Sequence, residues 1–248
     1  MNKQNKVQLY GFNNLTKNLS LSLYQVKHIH CDSLFQQYKA EINKQYSSQK
    51  LSETLTSICD MIGGNVLNVA HQNYNPQGAS VTLMISEEAK PESLVAHIDK
   101  SHLCIHTYPE EELHKNLAIF RADIELSTCG VISPLKVLNY ILEEFDSDVV
   151  DIDYRIRGMT RSLTGGKLYI DDSLANISEF LDSARLETYD HKNNNLLLNN
   201  VFHCKLKRKS VNVSNSIFKQ HVLEVTEQKL ESITSNIAHE VNNLYQCS

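Results

Sequence analysis

The stretch from residue 94 to residue 110 concentrates side chains that can act as acids, bases or nucleophiles. It contains a first apolar run, then Lys100-Ser101, then a second apolar run that carries His102, Cys104 and His106 and ends at Pro109. Polar groups in a sequence otherwise suited to a sheet interior cost free energy unless they are paired. The stretch therefore indicates either a satisfied hydrogen-bond network or a reaction centre.

Ser101 has two possible uses, as an exposed turn residue or as a nucleophile. The Gly-x-Ser-x-Gly elbow of a hydrolase is absent around it. A serine hydroxyl can instead attack the carbonyl carbon of the preceding residue, here Lys100, and convert the amide into an ester. β-Elimination then cuts the chain and leaves dehydroalanine, which hydrolyses to a pyruvoyl group. This chemistry requires an acid or base near the hydroxyl and a strained peptide at the cut.

His102 and His106 are the nearest candidates for that acid or base. Residues five apart in a regular strand point to opposite faces, so His106 meets Ser101 only if the backbone bends or bulges between them. A zinc site is an alternative, because His102, Cys104 and His106 share one face of a strand. No HExxH motif and no second His/Cys cluster supports that metal site. A buried structural cluster is the third possibility.

Cys129 follows a predicted strand and precedes a predicted helix. Free cysteines most often behave as small buried hydrophobic residues. A thiol near a helix N-terminus can also donate a proton or act as a nucleophile, because the helix dipole lowers its pKa. Both interpretations of Cys129 stay open on the residues alone.

The elements around these residues follow two hydrophobic periods. Alternation predicts strands at residues 19–24, 79–86, 117–127 and 150–157, and helical spacing predicts helices at 51–62, 135–145, 173–186 and 224–245. Residues 11–14 are predicted to form a turn and the asparagine-rich residues 189–200 a loop. Several connections are too short for parallel crossovers. We therefore expect an α+β fold, a two-layer sandwich of a mostly antiparallel sheet with helices on one face.

Composition narrows the class of protein. The chain has 248 residues and a formal net charge of −5, which argues against nonspecific nucleic-acid binding. Its one basic run, residues 205–209, is interpreted as a solvated strand edge. No apolar run is long enough to span a bilayer and no apolar leader follows Met1, so no membrane partner is expected. The six cysteines are scattered without a CxxC pair, which predicts reduced thiols in a cytoplasmic protein.

Six segments of the chain resemble one family of enzymes. They are residues 11–17, 76–82, 95–110, 120–125, 127–136 and 153–158. In these segments the chain is similar to the enterobacterial type of S-adenosylmethionine decarboxylase proenzyme. The resemblance extends from about residue 7 to residue 171 and becomes weak after residue 181.

This resemblance implies one domain that cuts itself between Lys100 and Ser101 into a β chain (1–100) and an α chain (101–248). Ser101 then becomes the pyruvoyl group that forms a Schiff base with the substrate. His106 assists the cut, and Cys129 is the proton donor in turnover. The product, decarboxylated S-adenosylmethionine, is the aminopropyl donor for spermidine biosynthesis.

The resemblance also implies partners. The sulfonium of S-adenosylmethionine requires an aromatic ring, for which we favour Phe12 over Tyr74 and Tyr108, and Glu110 is a candidate acceptor for the ribose hydroxyls. The cofactor is the pyruvoyl group derived from Ser101, with Mg²⁺ as a possible activator for which the sequence offers no ligand set. A homo-oligomer of cleaved pairs, a tetramer of pairs, is expected. The same motif is compatible with an ornithine or arginine decarboxylase, or with an unprocessed regulatory homologue.

Overall fold

A computed structural model describes residues 9–86, 101–110, 113–130, 132–171, 174–211, 216 and 226–247, without the side chains of residues 9–13 and 247. The strands are β1 (Leu9–His28), β2 (Asn65–Asn73), β3 (Ala79–Ser86), β4 (His102–Pro109), β5 (Leu117–Cys129), β6 (Val149–Ser162), β7 (Lys167–Leu168), β8 (Tyr189–Leu196) and β9 (Val201–Arg208). The α-helices are α1 (Asp32–Gln45), α2 (Ser48–Ile62), α3 (Leu138–Phe145), α4 (Ser183–Thr188) and α5 (Glu227–Cys247). Short 3-10 turns cover Pro134–Val137, Ile177–Phe180 and Leu197–Asn199.

The described strands form one sheet. Their order is β2-β3-β4-β5-β1-β6-β9-β8, and β7 pairs with β6. Every pairing between these strands is antiparallel. The predicted α+β class with a mostly antiparallel sheet is therefore confirmed.

Strand β1 is the central strand and is longer than the sequence predicted. Every second residue of β1 from Leu15 to Leu23 is buried. These residues are leucines except at position 17, which is a lysine. The predicted turn at residues 11–14 is wrong, because β1 continues through it with a register shift against β6 between Leu9 and Asn13. Gly158 of β6 permits this path, because a Cβ there would lie 2.1 Å from the carbonyl oxygen of Asn14.

Helices α1 to α3 cover the face of the sheet to which the β1 leucines point. Helix α2 buries Leu51, Leu55, Ile58 and Ile62, as its spacing predicts, and ends at Gly63 in the left-handed conformation. Helix α3 buries Leu138, Ile141, Leu142 and Phe145 on the same core. We call this the helix face of the sheet.

Helix α5 lies on the opposite side, which the expectation of helices on one face did not include. It packs Ile233, Ile237 and Val241 against Val26 and Val149, which alternate with the helix-face residues of β1 and β6. The rest of this second face, which we call the open face, is polar around Ser20, Ser22, Asp123, Glu125, Asp151 and Asp153. Among the described helices, none combines the length and the hydropathy needed to cross a membrane.

The last two strands correct two further expectations. Residues 189–196 form the edge strand β8 rather than a loop, and its polar residues remain largely exposed. The basic run lies in β9, between β6 and β8, and not at an edge. Its cations face carboxylates on neighbouring strands, since Lys205 Nζ lies 3.6 Å from Asp151 and Lys207 Nζ 3.5 Å from Asp190.

Candidate active site

Ser101 immediately precedes β4 and is 2% exposed. Its carbonyl oxygen accepts a hydrogen bond of 3.3 Å from the amide of Ile85, which continues the pairing of β3 with β4. Its hydroxyl oxygen is buried and has no hydrogen-bond partner within the described ranges. Buried polar atoms are rarely left unpaired in folded proteins, so such an atom at a predicted reaction centre is a candidate for chemistry.

Ser101 belongs to a row of buried polar residues that crosses three strands on the helix face. His102 pairs with Ser127, so Ser101 comes level with Thr128 of β5. Thr128 pairs in turn with Lys17 of β1. Thr128 and Lys17 are both 0% exposed. The sheet thus brings a serine, a threonine and a lysine to the same level beneath the helices.

Cys129 ends β5 beside this row and is only partly buried. It pairs with Thr16 and is one residue beyond the position level with Ser101. Strand spacing and rise place the Cα atoms of Ser101 and Cys129 about 6 Å apart. The pleat directs the Cys129 side chain towards the open face, whereas Ser101 is directed towards the helix face. The backbones of Ser101 and Cys129 are therefore close together, but their side chains point to opposite faces of the sheet.

His106 is not brought to Ser101. Strand β4 pairs with β3 and with β5 without any register shift, so the bulge that would turn His106 towards Ser101 is absent between residues 102 and 109. His106 lies on the open face, partly buried, with its ring 6.4 Å from that of Tyr108. Five residues of extended strand separate the Cα atoms of Ser101 and His106 by about 16 Å.

The three possible zinc ligands on β4 do share the open face, as predicted, but they are not gathered around one point. In the part of the chain that the structure describes, the grouped potential ligands are Asp151, Asp153 and His203, whose ligand atoms lie within 4.8 Å of one another. Burial raises the pKa of the Cys104 thiol, and the nearby Glu125 raises it further. A thiol that resists deprotonation is a poor zinc ligand.

The predicted substrate contacts lie at different ends of the sheet. The backbone of Phe12 extends β1 beyond Thr16, at the end that holds Ser101 and Cys129. Glu110 follows Pro109 at the other end of β4, about 30 Å from Ser101 along the strand. Its carboxylate accepts a hydrogen bond of 2.8 Å from the amide of Ile119, and burial raises its pKa.

The two other aromatic candidates are exposed and lie away from Ser101. Tyr74 is 38% exposed and follows β2. Tyr108 is 44% exposed, and its ring carries the guanidinium of Arg121 at 4.3 Å. That guanidinium also lies 3.4 Å from the carboxylate of Asp123, with which it forms an ion pair.

Sequence reasoning missed a buried ion pair at the row formed by Ser101, Thr128 and Lys17. Lys17 Nζ is ion-paired with Asp171 Oδ2, and their side chains are 0% and 6% exposed. Lys17 occupies a leucine position in the alternating pattern of β1, and this pattern could have indicated that its side chain is buried. Nothing in the sequence indicated Asp171, which is separated from Lys17 by 154 positions.

Comparison with known proteins identifies the family. The family model described as S-adenosylmethionine decarboxylase matches residues 33–158. An S-adenosylmethionine decarboxylase proenzyme of Pseudoalteromonas translucida is 41% identical over 99% of this chain and 97% of its own length. A protein of the same name from Pectobacterium atrosepticum is 42% identical over 97% of this chain and 96% of its own.

A crystal structure of the adenosylmethionine decarboxylase from Aquifex aeolicus is also similar, at 18% identity and a TM-score of 0.38, over 59% of this chain and 91% of its own. The near full-length relatives place the chain among bacterial decarboxylase proenzymes. The chain belongs to the S-adenosylmethionine decarboxylase family.

Proposed function

We propose that this chain is the precursor of a pyruvoyl-dependent S-adenosylmethionine decarboxylase, a carboxy-lyase. It cuts itself between Lys100 and Ser101 and then removes the carboxylate of S-adenosylmethionine, which supplies the aminopropyl donor for spermidine biosynthesis. The observation that carries the proposal is Ser101, whose buried hydroxyl has no partner within the described residues. It stands in a chain that is 41% identical over nearly its whole length to a protein named as such a proenzyme.

The environment of Ser101 fits the formation of the cofactor from the chain itself. An unpartnered hydroxyl keeps its lone pairs available for attack on the preceding carbonyl carbon. Burial at 2% exposure keeps water away from the ester that this attack forms. The pyruvoyl group, once formed, supplies an electrophilic carbonyl that accepts electrons as the substrate loses carbon dioxide.

Cys129 is the proposed proton donor in turnover. Its Cα lies about 6 Å from that of Ser101 by strand geometry. Cleavage would make residue 101 a chain end, free to rotate towards the open face on which the Cys129 side chain starts. The thiol would then protonate the substrate carbon that has lost its carboxylate.

His106 is the proposed acid or base of self-cleavage, and this role is supported by the resemblance of its motif alone. His106 lies on the open face, about 16 Å from Ser101, so it cannot reach the Ser101 hydroxyl in this conformation. A mutational test of His106 therefore also tests this conformation of β4. Replacing His106 with alanine should slow the appearance of the two chains, whereas His102→Ala on the same face should not. Cleavage of both variants at the wild-type rate would exclude His106 from the self-cleavage mechanism.

Phe12 and Glu110 are the proposed substrate contacts, and the structure supports Phe12 better than Glu110. Phe12 shares the end of the sheet with Ser101 and is the proposed contact of the sulfonium. Glu110 would have to contact the ribose from the other end of β4, and its carboxylate is already engaged by Ile119. A Phe12→Leu variant should raise KM for S-adenosylmethionine. Glu110→Gln should raise it too if Glu110 binds the ribose, and an unchanged KM would remove Glu110 from the substrate contacts.

Magnesium activation, a tetramer of cleaved pairs and a cytoplasmic location complete the proposal. Asp151, Asp153 and His203 are grouped, but His203 Nδ1 already lies 3.3 Å and 3.0 Å from the two carboxylates. A nitrogen donor among two oxygens also suits a transition metal better than Mg²⁺, so this group does not fit a magnesium ion. The cytoplasmic location is supported by the five described cysteines, which are free thiols.

Mass spectrometry of the purified protein tests the cofactor. We expect two chains, split after residue 100, with an α chain whose N-terminus is blocked to Edman degradation. Carbon dioxide release from S-adenosylmethionine, ornithine and arginine then tests the substrate. An intact chain that releases no carbon dioxide would overturn the proposal and favour a regulatory homologue. Release from ornithine or arginine alone would retain the cofactor and change the substrate.

A further inference from the structure

Lys17 is a charged side chain in the apolar layer between sheet and helices. It is 0% exposed and occupies a leucine-phase position of β1. Its ammonium group is ion-paired with Asp171, which lies beyond β7 and is itself 5% exposed. Burying two charges carries a large desolvation cost, and an apolar pair of similar volume is often at least as stable. Stability of the fold alone therefore does not account for this pair.

Lys17 also contacts the segment that follows Cys129, the last residue of β5; its described residues are Gly130 and Ile132. Lys17 Nζ donates a hydrogen bond of 3.1 Å to the carbonyl oxygen of Ile132. The Thr128 hydroxyl donates to the same oxygen at 3.2 Å. The amide of Gly130 donates to the carbonyl oxygen of Leu15 at 3.1 Å. The central strand thus holds the segment that follows Cys129 at two points, Gly130 and Ile132.

We propose that Lys17 and Asp171 are positioning residues for Cys129, an inference that rests on the proposed function. Asp171 fixes the lysine, and the lysine fixes the segment that follows Cys129 through Ile132. Cys129 therefore meets the substrate in one orientation. A displacement of about 1 Å in a reacting group can cost a large factor in rate or selectivity.

The position of the donor matters because two carbons compete for its proton. Protonation of the carbon that has lost carbon dioxide lets the amine product leave, and the ketone of residue 101 is restored by water. Protonation of the carbon derived from that ketone instead leaves the substrate nitrogen on residue 101 as alanine, and the product departs as an aldehyde. The second outcome ends catalysis, so the number of turnovers per inactivation reports the orientation of Cys129.

The test compares cleaved enzyme from three variants and one control variant with the wild type. Lys17→Met combined with Asp171→Leu removes both charges and avoids a buried unpaired charge. Thr128→Val removes only the second donor to Ile132 and keeps the ion pair. Lys17→Arg keeps the cation. Arg208→Met, at the far end of the sheet, is the matched control for the loss of a buried cation.

The number of turnovers is measured as carbon dioxide released. The number of inactivation events is measured as alanine at residue 101, which Edman degradation can detect, and the ratio of the two gives turnovers per inactivation. We expect the paired variant to inactivate at least about tenfold more often per turnover, with a smaller rise in Thr128→Val and rescue in Lys17→Arg. Arg208→Met should equal the wild type.

Three results would overturn the inference. The first is a wild-type ratio in the paired variant. The second is a folded paired variant that fails to cleave, because the pair would then act before Cys129. If the paired variant does not fold, an unchanged ratio in Thr128→Val is the third. Failure of the proposed function is distinct from all three, because the wild type itself would then not cleave or not release carbon dioxide.

Discussion

The two ends of the central strand bury polar groups in different ways. At the end near α5, Asp148 accepts a hydrogen bond of 2.9 Å from the amide of Val26 and lies 3.5 Å from Arg208 Nε. Arg208 also donates to the carbonyl oxygen of Ser147 and to the Tyr189 hydroxyl, which itself donates to Ser147. These side chains fasten β1, β6, β8 and β9 to one another.

At the Ser101 end, buried oxygens lack partners. The hydroxyls of Ser101 and Ser133 and one carboxylate oxygen of Asp171 have no hydrogen bond among the described residues. At the far end the oxygens of Asp148 and Tyr189 contact backbone groups and Arg208, although Arg208 Nε lacks a hydrogen bond among the described residues. At the Ser101 end Lys17 and Thr128 also hold a backbone carbonyl, but the hydroxyls of Ser101 and Ser133 do not. The unpartnered hydroxyls support the proposal that the Ser101 end carries the chemistry, while the far end holds strands together.

The largest expected effect separates the two unpartnered serines of the Ser101 end. Ser101→Ala removes the hydroxyl proposed to attack the backbone, so the chain should stay intact and release no carbon dioxide from S-adenosylmethionine. Ser133→Ala, which removes an equally buried hydroxyl, should be cleaved normally. Mass spectrometry of both variants makes the comparison. Cleavage of Ser101→Ala after Lys100 would show that the unpartnered hydroxyl is not the nucleophile.

The second largest expected effect is the loss of kcat when Cys129 is replaced. Cys129→Ala should lower kcat by about 10² to 10³-fold, because a positioned proton donor is lost, while the yield of the two chains stays at the wild-type level. Cys104→Ala, a partly buried thiol of the open face, serves as the control and should keep its kcat. A loss of self-cleavage in Cys129→Ala would move the thiol into the maturation step and contradict its role in turnover.

Arg208→Met tests the structural end of the comparison. The substitution removes the guanidinium that lies 3.5 Å from the buried Asp148, which should lower the free energy of unfolding by about 3 kcal/mol. Urea denaturation measures this loss. Lys207→Met, a more exposed change on the same strand, should cost less than about 1 kcal/mol. Self-cleavage of folded Arg208→Met should match the wild type, and slow cleavage would show that the two ends are coupled.

The smallest expected effect is a pH dependence at the same end. Burial raises the pKa of Asp148 above its ordinary value, although Val26 and Arg208 oppose the shift. As pH rises from the ordinary aspartate pKa, the unfolded chain loses this proton before the folded chain does. The free energy of unfolding should therefore fall through that window. Asp148→Asn should lose this component of the pH profile in urea titrations, and identical profiles would contradict the assignment.

Much of the fold follows from local patterns. Alternation in the second half of β1 and in β6, and the apolar stripe of α2 with its Gly63 cap, predicted these elements because each has one buried face. The asparagine-rich β8 escaped prediction because an edge strand that is largely exposed needs no apolar face. The amphipathic α5 was predicted as a helix, but its stripe could not indicate which face of the sheet it covers.

The candidate site was predictable only in part. The motif around Ser101 and Cys129 led to both residues, and the strand period correctly indicated that His106 would point away from Ser101 unless β4 bulged. The ion pair between Lys17 and Asp171 depends on a contact across 154 positions of sequence, which no local pattern encodes.

The interleaving of the strands has a consequence for maturation. The proposed cut falls between β3 and β4, so one product contributes β1, β2 and β3 and the other contributes the remaining strands. Because β1 is enclosed between β5 and β6, neither product can depart without unravelling the sheet. A precursor and its mature form should therefore be indistinguishable in native hydrodynamic size. The two polypeptides should remain in a strict one-to-one ratio for the lifetime of the enzyme.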